Sequence, residues 1–426
     1  MDGGFGGKGE MAMKKLVSIV RVDESDIEAA VRKAIDLAGG LKKIITADSQ
    51  VLVKPNLCWP GPSGTGSTTD CRVTEAVTKI VLELGPKSVI IGEGSSAGWD
   101  FDSSHSTEEA FRVSGTADVA RRLGVELRNL NRDSFEEVTL NDAYVMNKVR
   151  IARTAFESDV IISVPVLKTH LRTLVTLSLK NMKGVMPGAE KRKTHRLGLD
   201  KAIADLNSVV KPSYVVVDAL AGMQGLWEYP QDRFELGLIM AGADPVAVDT
   251  VGTCLMGFEP AQVMHLQYFA ARQGTKADLS QVAVVGESVE ANKQSLRSGF
   301  DIFKGRYPGV HIVEGESVCT GCMGELLGAL QAVKKFGQDH ALTDLTVILG
   351  NPSPNEIAAK AKTVVLGKCA KSVARFGTYV KGCPPMSDDM IRAICEVSSL
   401  DGDSVVASRN QDRQRRWQET RFLLTH

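Results

Sequence analysis

The chain has 426 residues, long for one domain and typical of two. Apolar residues make up 43% and charged residues 24%, ordinary globular values that allow a substantial core. Lysine plus arginine equals aspartate plus glutamate at 51 each, so overall charge gives no argument for nucleic acid or an anionic membrane.

No apolar run approaches the roughly 18 residues needed to span a bilayer, so no membrane insertion is expected. Residues 1–14 are Gly-rich, lack the apolar stretch of a signal peptide, and read as a disordered extension. The expected compartment is the reducing cytoplasm. There, eight cysteines point to metal binding or chemistry rather than disulfides.

In chain order, Lys15 to Val22 reads as a buried strand and Ser25 to Ala38 as a helix. Ser25 and Glu28 form a capping-box pattern at its start. Short apolar runs follow at Gln50 to Val53, Ser88 to Ile91, Asp159 to Val166, Tyr214 to Val217 and Leu236 to Met240. Helical patterns lie between them, at Val73 to Leu84, Glu108 to Leu123 and Val246 to Met256. Continuous apolar strands alternating with helices predict an α/β fold, a mainly parallel sheet with helices on both faces. That domain is expected over residues 15–315. Beyond it the chain restarts as a smaller C-terminal α/β metal-binding domain, 316–400. It holds a helix (Gly324 to Lys335), two strands (Leu345 to Leu349, Thr363 to Leu366) and a helix (Met386 to Cys395). Residues 401–426 read as a polar tail, with a solvated terminal helix.

Four cysteines of the C-terminal domain have the makings of one metal site. Cys319 and Cys322 form a C-x-x-C pair, whose intervening residues are expected to make a tight turn at Gly321. Cys369 follows a strand, and Cys383 precedes Pro384 and Pro385. An iron–sulfur cluster, most simply 4Fe-4S, suits one short-spaced pair plus two distant ligands. Zinc and a redox C-x-x-C among unrelated thiols are the alternatives. Cys58, Cys71, Cys254 and Cys395 have no partners in the sequence, and the last two read as core residues.

In a parallel α/β sheet, ligands bind beyond the carboxyl ends of the strands. Several apolar runs end in polar groups: Lys54 and Asn56, Glu93, Lys168 and His170, Asp218, and Asp244 with Asp249. If the sheet is parallel, all of these meet at one edge. Thr68, Thr69 and Asp70 precede a helix and read either as its cap or as part of an anion site. From Lys168 to His195 the chain is densely basic and reads largely as loop, with Lys180, Asn181, Lys183, Lys191 and His195. A basic segment within a neutral protein implies a localised anionic ligand.

At these residues the chain resembles the domain-of-unknown-function family 362, whose members are often fused to iron–sulfur modules. The matching pieces are V-L-V-K-P-N (51–56), T-T-D (68–70), I-G-E-G (91–94), D-V-I-I-S-V-P-V-L-K-T-H (159–170), L-K-N-M-K-G (179–184), His195, V-V-D (216–218) and D-P-V-A-V-D (244–249). The stretch after Asp218 departs from the family, with Ala219, Gln224, Leu226 and Trp227 in place of a Gly-rich acidic loop. The order His170, Lys180, His195 is also similar to the substrate loop of nickel-pincer lactate racemases.

The expectation is an iron–sulfur redox enzyme acting on a small anionic substrate. Lys54, Lys168 and Lys180 would hold its charge, and Asn56, Asn181, Thr69 and Glu93 would complete the binding site. His170, Lys180 and His195 are the candidate catalytic groups, with His170 exchanging protons. An electron-transfer partner would serve the cluster. The alternatives are a racemase or epimerase using the His–Lys–His segment, and a non-enzymatic iron–sulfur binding or electron-transfer protein.

Overall fold

A computed structural model describes residues 14–23, 26–95, 106–225, 232–315, 318, 320–358 and 360–423. Residues 1–13 of the expected N-terminal extension, Ser25 of the capping box, Leu226, Trp227 and Cys319 lie outside the described residues.

The strands in chain order are β1 (Lys15–Arg21), β2 (Gln50–Pro55), β3 (Ser88–Glu93), β4 (Glu126–Asn129), β5 (Phe135–Thr139), β6 (Lys148–Ala152), β7 (Val160–Val164), β8 (Lys168–His170), β9 (Leu174–Thr176), β10 (Tyr214–Met223), β11 (Arg233–Gly242), β12 (Val282–Gly286), β13 (Val310–Glu314), β14 (Leu345–Leu349), β15 (Thr363–Leu366) and β16 (Thr378–Val380). Eight of them form one sheet in the order β12-β1-β11-β10-β7-β2-β3-β4. Every pairing in it is parallel except the two made by β11, which is antiparallel to β1 and β10.

Successive residues of a strand point to opposite faces, so each face has its own core. Val215 and Val217 pack with helices Leu199–Val209, Pro245–Leu255 and Met264–Arg272. Tyr214 and Val216 face helices Ile27–Leu37 and Cys71–Glu83. Gly115, at φ +79, divides the expected Glu108 to Leu123 helix into Thr107–Val113 and Thr116–Leu123.

The reversal of β11 corrects one expectation. Its carboxyl end lies at the edge opposite those of β2, β3 and β7, so Asp244 does not join Lys54 and Asn56. Asp244 instead accepts from Ala247 N at 2.9 Å as an N-cap and pairs with Lys15 at 3.5 Å.

The C-terminal unit has a four-stranded parallel sheet, β13-β14-β15-β16. Helices Thr320–Phe336, Ser387–Glu396 and Gly402–Leu423 share one core with it. Fully buried Leu326, Leu330 and Ile394 each contribute roughly 1.5–3 kcal/mol there. This unit begins earlier than the expected residue 316: Phe303 and Tyr307 of helix Gly299–Arg306 and Val310 of β13 belong to its core. The expected solvated tail also docks, because Val405 and Val406 are buried in that core. No helix among the described residues is long and apolar enough to cross a membrane.

Candidate functional site

The carboxyl ends of β2 and β3 open onto a cavity of about 310 Å³. Asn56, Glu93, His170, Lys180, Asn181 and His195 line it, so six of the nine expected site residues outside the cysteine set converge there. Cys58, Lys183, Gly184 and Lys191 line it too. The basic segment that carries most of these is not a loop. It folds as the β8–β9 hairpin, helix Ser178–Asn181 and helix Gly188–Leu197.

Lys54 lies beneath the cavity and forms a buried ion pair with the lining residue Glu93 at 2.8 Å. Glu93 also accepts from Leu57 N at 3.0 Å and Gly94 N at 2.8 Å. A Cβ on Gly184 would overlap Glu93 Oε1 and Lys54 Nζ, so only glycine lets that backbone cross the pair. Lys54 therefore neutralises Glu93, which differs from the expected role of holding a substrate's charge.

Asn181 is held from three sides. Its Nδ2 donates to Lys54 O at 3.0 Å and Ser163 Oγ at 2.9 Å, and its Oδ1 accepts from Lys54 Nζ and Asn56 Nδ2. Thr69 is buried scaffolding. It accepts from Asn56 N at 2.8 Å and donates to Val164 O at 2.7 Å, and it does not line the cavity. Lys168 is fully buried and donates to Ser67 O and, at 3.5 Å, to Cys58 Sγ.

Helix Ser178–Asn181 is too short to stand alone. Buried Asp249 anchors it, accepting from Ser178 N at 2.8 Å, Ser178 Oγ at 2.6 Å and Leu179 N at 3.0 Å. Burial raises the Asp249 carboxyl to about 6 despite these bonds. Lys180 thus projects into the cavity from a fixed base, donating to Thr176 Oγ1 at 3.2 Å. Burial, reinforced by Lys168, brings its ammonium down to about 7.

The two histidines differ from the expectation of simple proton exchangers. His170 Nδ1 accepts from Arg172 N at 3.0 Å and Thr173 N at 3.2 Å. That assigns the neutral ring's proton to Nε2, making the outer edge a hydrogen-bond donor. Burial, then Lys180, holds its basicity well below the ordinary imidazole value. His195 lies between Arg172 at 3.0 Å and Lys183 at 3.1 Å. Arg172 can only donate, so Nδ1 accepts and Nε2 carries the proton. Lys183 must then accept as a neutral amine, in line with burial and Lys180 pushing it well below the usual lysine range. Burial, Lys183 and Arg172 lower His195 to about 2.

Arg172 ties this site to the C-terminal unit. It pairs with Glu325 at 3.0 Å, and Ser387 Oγ donates to the same carboxylate. Gly324 leaves space for it, since a Cβ there would meet the guanidinium. His170 also lines a second cavity of about 440 Å³ with Phe300, Glu314, Val318 and Met323.

The cysteine set is seen in part. Cys322 lies in the first turn of helix Thr320–Phe336, so the expected tight turn at Gly321 is helical instead. The sulfurs of Cys322 and Cys369 lie 3.2 and 3.5 Å from where a Cβ on Gly367 would stand. Lys368 N donates to Gly382 O at 2.7 Å, which holds the Cys369 and Cys383 segments together. Cys383 is exposed. Among the described residues no three His, Cys, Asp or Glu side chains are arranged to hold a metal ion, and Cys319 lies outside that set. Cys395 is a core residue, as expected, while Cys254 is half-buried.

Comparison with known proteins finds a family match over the cavity residues. Residues 51–254 match the Domain of unknown function (DUF362). The DUF362 segment contains every residue that lines the cavity and ends before the cysteine unit. The chain is 26% identical over 260 residues to the thylakoid-associated protein sll1697 of Synechocystis, covering 59% of this chain and 77% of that one. It is also similar to the lactate racemase apoprotein from Thermoanaerobacterium thermosaccharolyticum. That match has 11% identity and a TM-score of 0.36, and covers 79% of this chain and 69% of that one. A likeness this low carries no argument about fold or reaction.

Cys58, Lys183, Lys191 and Arg172 are the site groups that were not singled out as ligand-binding or catalytic. Lys183 and Lys191 belong to the basic segment, and Lys183 also falls in the L-K-N-M-K-G piece. Cys58 carries none, because its partner Lys168 is 110 positions away.

Proposed function

We propose that the cavity binds a small anionic substrate and that Lys180 moves a proton to or from it, as in a racemase or epimerase. One observation carries this reading: Lys180, Lys183 and Lys191 line one cavity whose only lining carboxylate among the described residues, Glu93, is neutralised by Lys54. Crowded lysines at least half-buried are unfavourable without a counter-ion, and they shed protons when none is bound. An anion reverses that. An amine near pKa 7 can both take and return a proton at neutral pH. His170 Nε2–H would donate to the substrate as a neutral group.

The test is solvent exchange. The protein is incubated in D₂O with small hydroxy, keto and amino acids, and deuterium at the carbon beside the carboxylate is read by NMR. Exchange should rise with pH through about 7, as Lys180 becomes an amine. Lys180→Met should abolish it with the circular dichroism unchanged. Exchange that survives Lys180→Met would rule out this role.

A second reading, an iron–sulfur redox enzyme of the same site, is favoured by Cys322 and Cys369 meeting over Gly367. The thiolates of Cys319, Cys322, Cys369 and Cys383 would hold a cluster, which would exchange electrons with a partner protein. Zinc is the alternative occupant. Anaerobic purification should give brown protein containing iron and sulfide, and Cys369→Ser should remove both. Colourless protein with stoichiometric zinc would defeat the iron assignment.

A further inference from the structure

The amide of Asn56 has an orientation that its neighbours impose. Asn181 Nδ2 donates to a backbone carbonyl, Lys54 O, so Asn181 Oδ1 is the acceptor end of that side chain. The atom of Asn56 that meets Asn181 Oδ1 at 3.1 Å must therefore be the donor Nδ2. Asn56 Oδ1 is left as a buried acceptor with no hydrogen-bond partner. The residue is 7% exposed and lines the cavity. A buried acceptor without a donor is destabilising, because its lost hydration is not replaced. Such a group is rare in native proteins and calls for an explanation.

Two demands thus meet in one small space: the lysines call for negative charge, and Asn56 Oδ1 calls for a donor. We infer that the ligand of this cavity is a small anion carrying a hydroxyl group, which donates to Asn56 Oδ1. This rests on the anion-binding reading above and names its substrate class. An ammonium donor is disfavoured because Lys168 and Lys180 would repel it across a low-dielectric site. A hydroxyl satisfies Asn56 without adding positive charge. The anionic group itself can be a carboxylate or a phosphate, since either pairs with lysine.

The experiment is calorimetric titration of the full chain at pH 7 with matched probes: hydroxyacetate, acetate and aminoacetate, then 2-hydroxyethyl phosphate and ethyl phosphate. In at least one pair the hydroxylated member should bind about tenfold more tightly than its deoxy partner. The pair that shows the preference identifies the anionic group. Asn56→Leu should erase the preference, bringing the hydroxylated member to within about threefold of its deoxy partner. Asn56→Asp retains an acceptor, so it should weaken both members yet preserve their ratio. Equal binding within both pairs would overturn the hydroxyl inference and leave anion binding standing. So would aminoacetate binding more tightly than hydroxyacetate. Failure of all five probes to bind would overturn the anion-binding reading itself, and the inference with it.

Discussion

The cavity at the sheet edge and the cysteine turn of the C-terminal unit both bring together residues distant in sequence, but they are held in different ways. At the cavity, the convergence is enforced by the protein alone. Lys54 bonds Glu93 and Asn181, Asp249 holds the backbone of the helix that carries Asn181, and the ends of β2 and β3 that carry Lys54 and Glu93 are buried. At the cysteine turn, two sulfurs approach one point over Gly367 while Cys383 is exposed. The first is a preorganised polar site, in which side chains are fixed before any ligand arrives. In the second, on our reading, metal binding would supply part of the order, as it does where metal and folding are coupled. Rigidity without a ligand therefore marks the cavity as the part whose chemistry can be argued from geometry.

The strongest way to break that contrast is to attack the buried pair under the cavity. Lys54→Met leaves the Glu93 carboxylate without its cation in a site that excludes water. The expected loss is about 3–5 kcal/mol in denaturant unfolding. Adding Glu93→Gln should recover part of this, because the stranded charge is removed. A loss below about 1 kcal/mol would mean that the pair is solvated and the site is not preorganised.

Asp249→Ala should cost less, about 1–3 kcal/mol, by leaving Ser178 and Leu179 donors unpaired. Its pH dependence has a definite sign. The folded carboxyl sits at about 6, above the ordinary value of 3.8, so the folded state binds the proton more readily. That contribution to stability is fully present below pH of about 4 and is lost as pH rises through about 6. Asp249→Asn should flatten this part of the stability profile. An unchanged profile would show that another group produces it.

Ligand affinity provides the next test. Lys180 is protonated below about 7 and neutral above it, and an anion prefers the ammonium. Affinity for the probe anion should therefore fall as pH rises through about 7, by up to about tenfold per unit. Titrations in buffers of different ionisation enthalpy should detect up to about one proton taken up on binding at pH 8. Lys180→Met should flatten the profile. A profile that stays steep in Lys180→Met would assign the proton to Lys183 or Lys168.

The polar residues that close the apolar runs were a readable signal. Lys54, Asn56, Glu93 and His170 follow directly from the rule that parallel strands present their carboxyl ends to ligands. The direction of β11 was not readable, because an apolar run looks the same in either orientation. It was the antiparallel pairing with β1 and β10 that carried Asp244 away from the site. Asp249 stayed near only because the helix after β11 runs back beneath Ser178. Lys54 and Thr69 were recognised as site residues, yet their partners turn them into scaffolding. Sequence marks which groups approach an edge, whereas pairing decides which of them remain available to a ligand. Cys58 illustrates the converse, a residue with no pattern around it that lines the cavity through the packing of Lys168.

The smallest expected effect concerns the link between the two regions. Arg172 and Glu325 pair at 3.0 Å with about a fifth of each side chain exposed, so solvent screens much of their attraction. A double-mutant cycle over Arg172→Met and Glu325→Gln should give a coupling of about 0.5–1 kcal/mol. Stability alone would not distinguish a strut from a functional contact, but the imidazole of His195 can. Arg172→Met removes the guanidinium that, with burial, holds His195 near 2, so its titration should move up toward the ordinary imidazole range. Glu325→Gln leaves Arg172 in place without its counter-charge, so it should not raise His195. An NMR titration separates these outcomes. If both variants move His195 equally, the cavity is sensitive to any loosening of the C-terminal unit. If only Arg172→Met does, the guanidinium acts on the cavity directly, and Glu325 serves to position it.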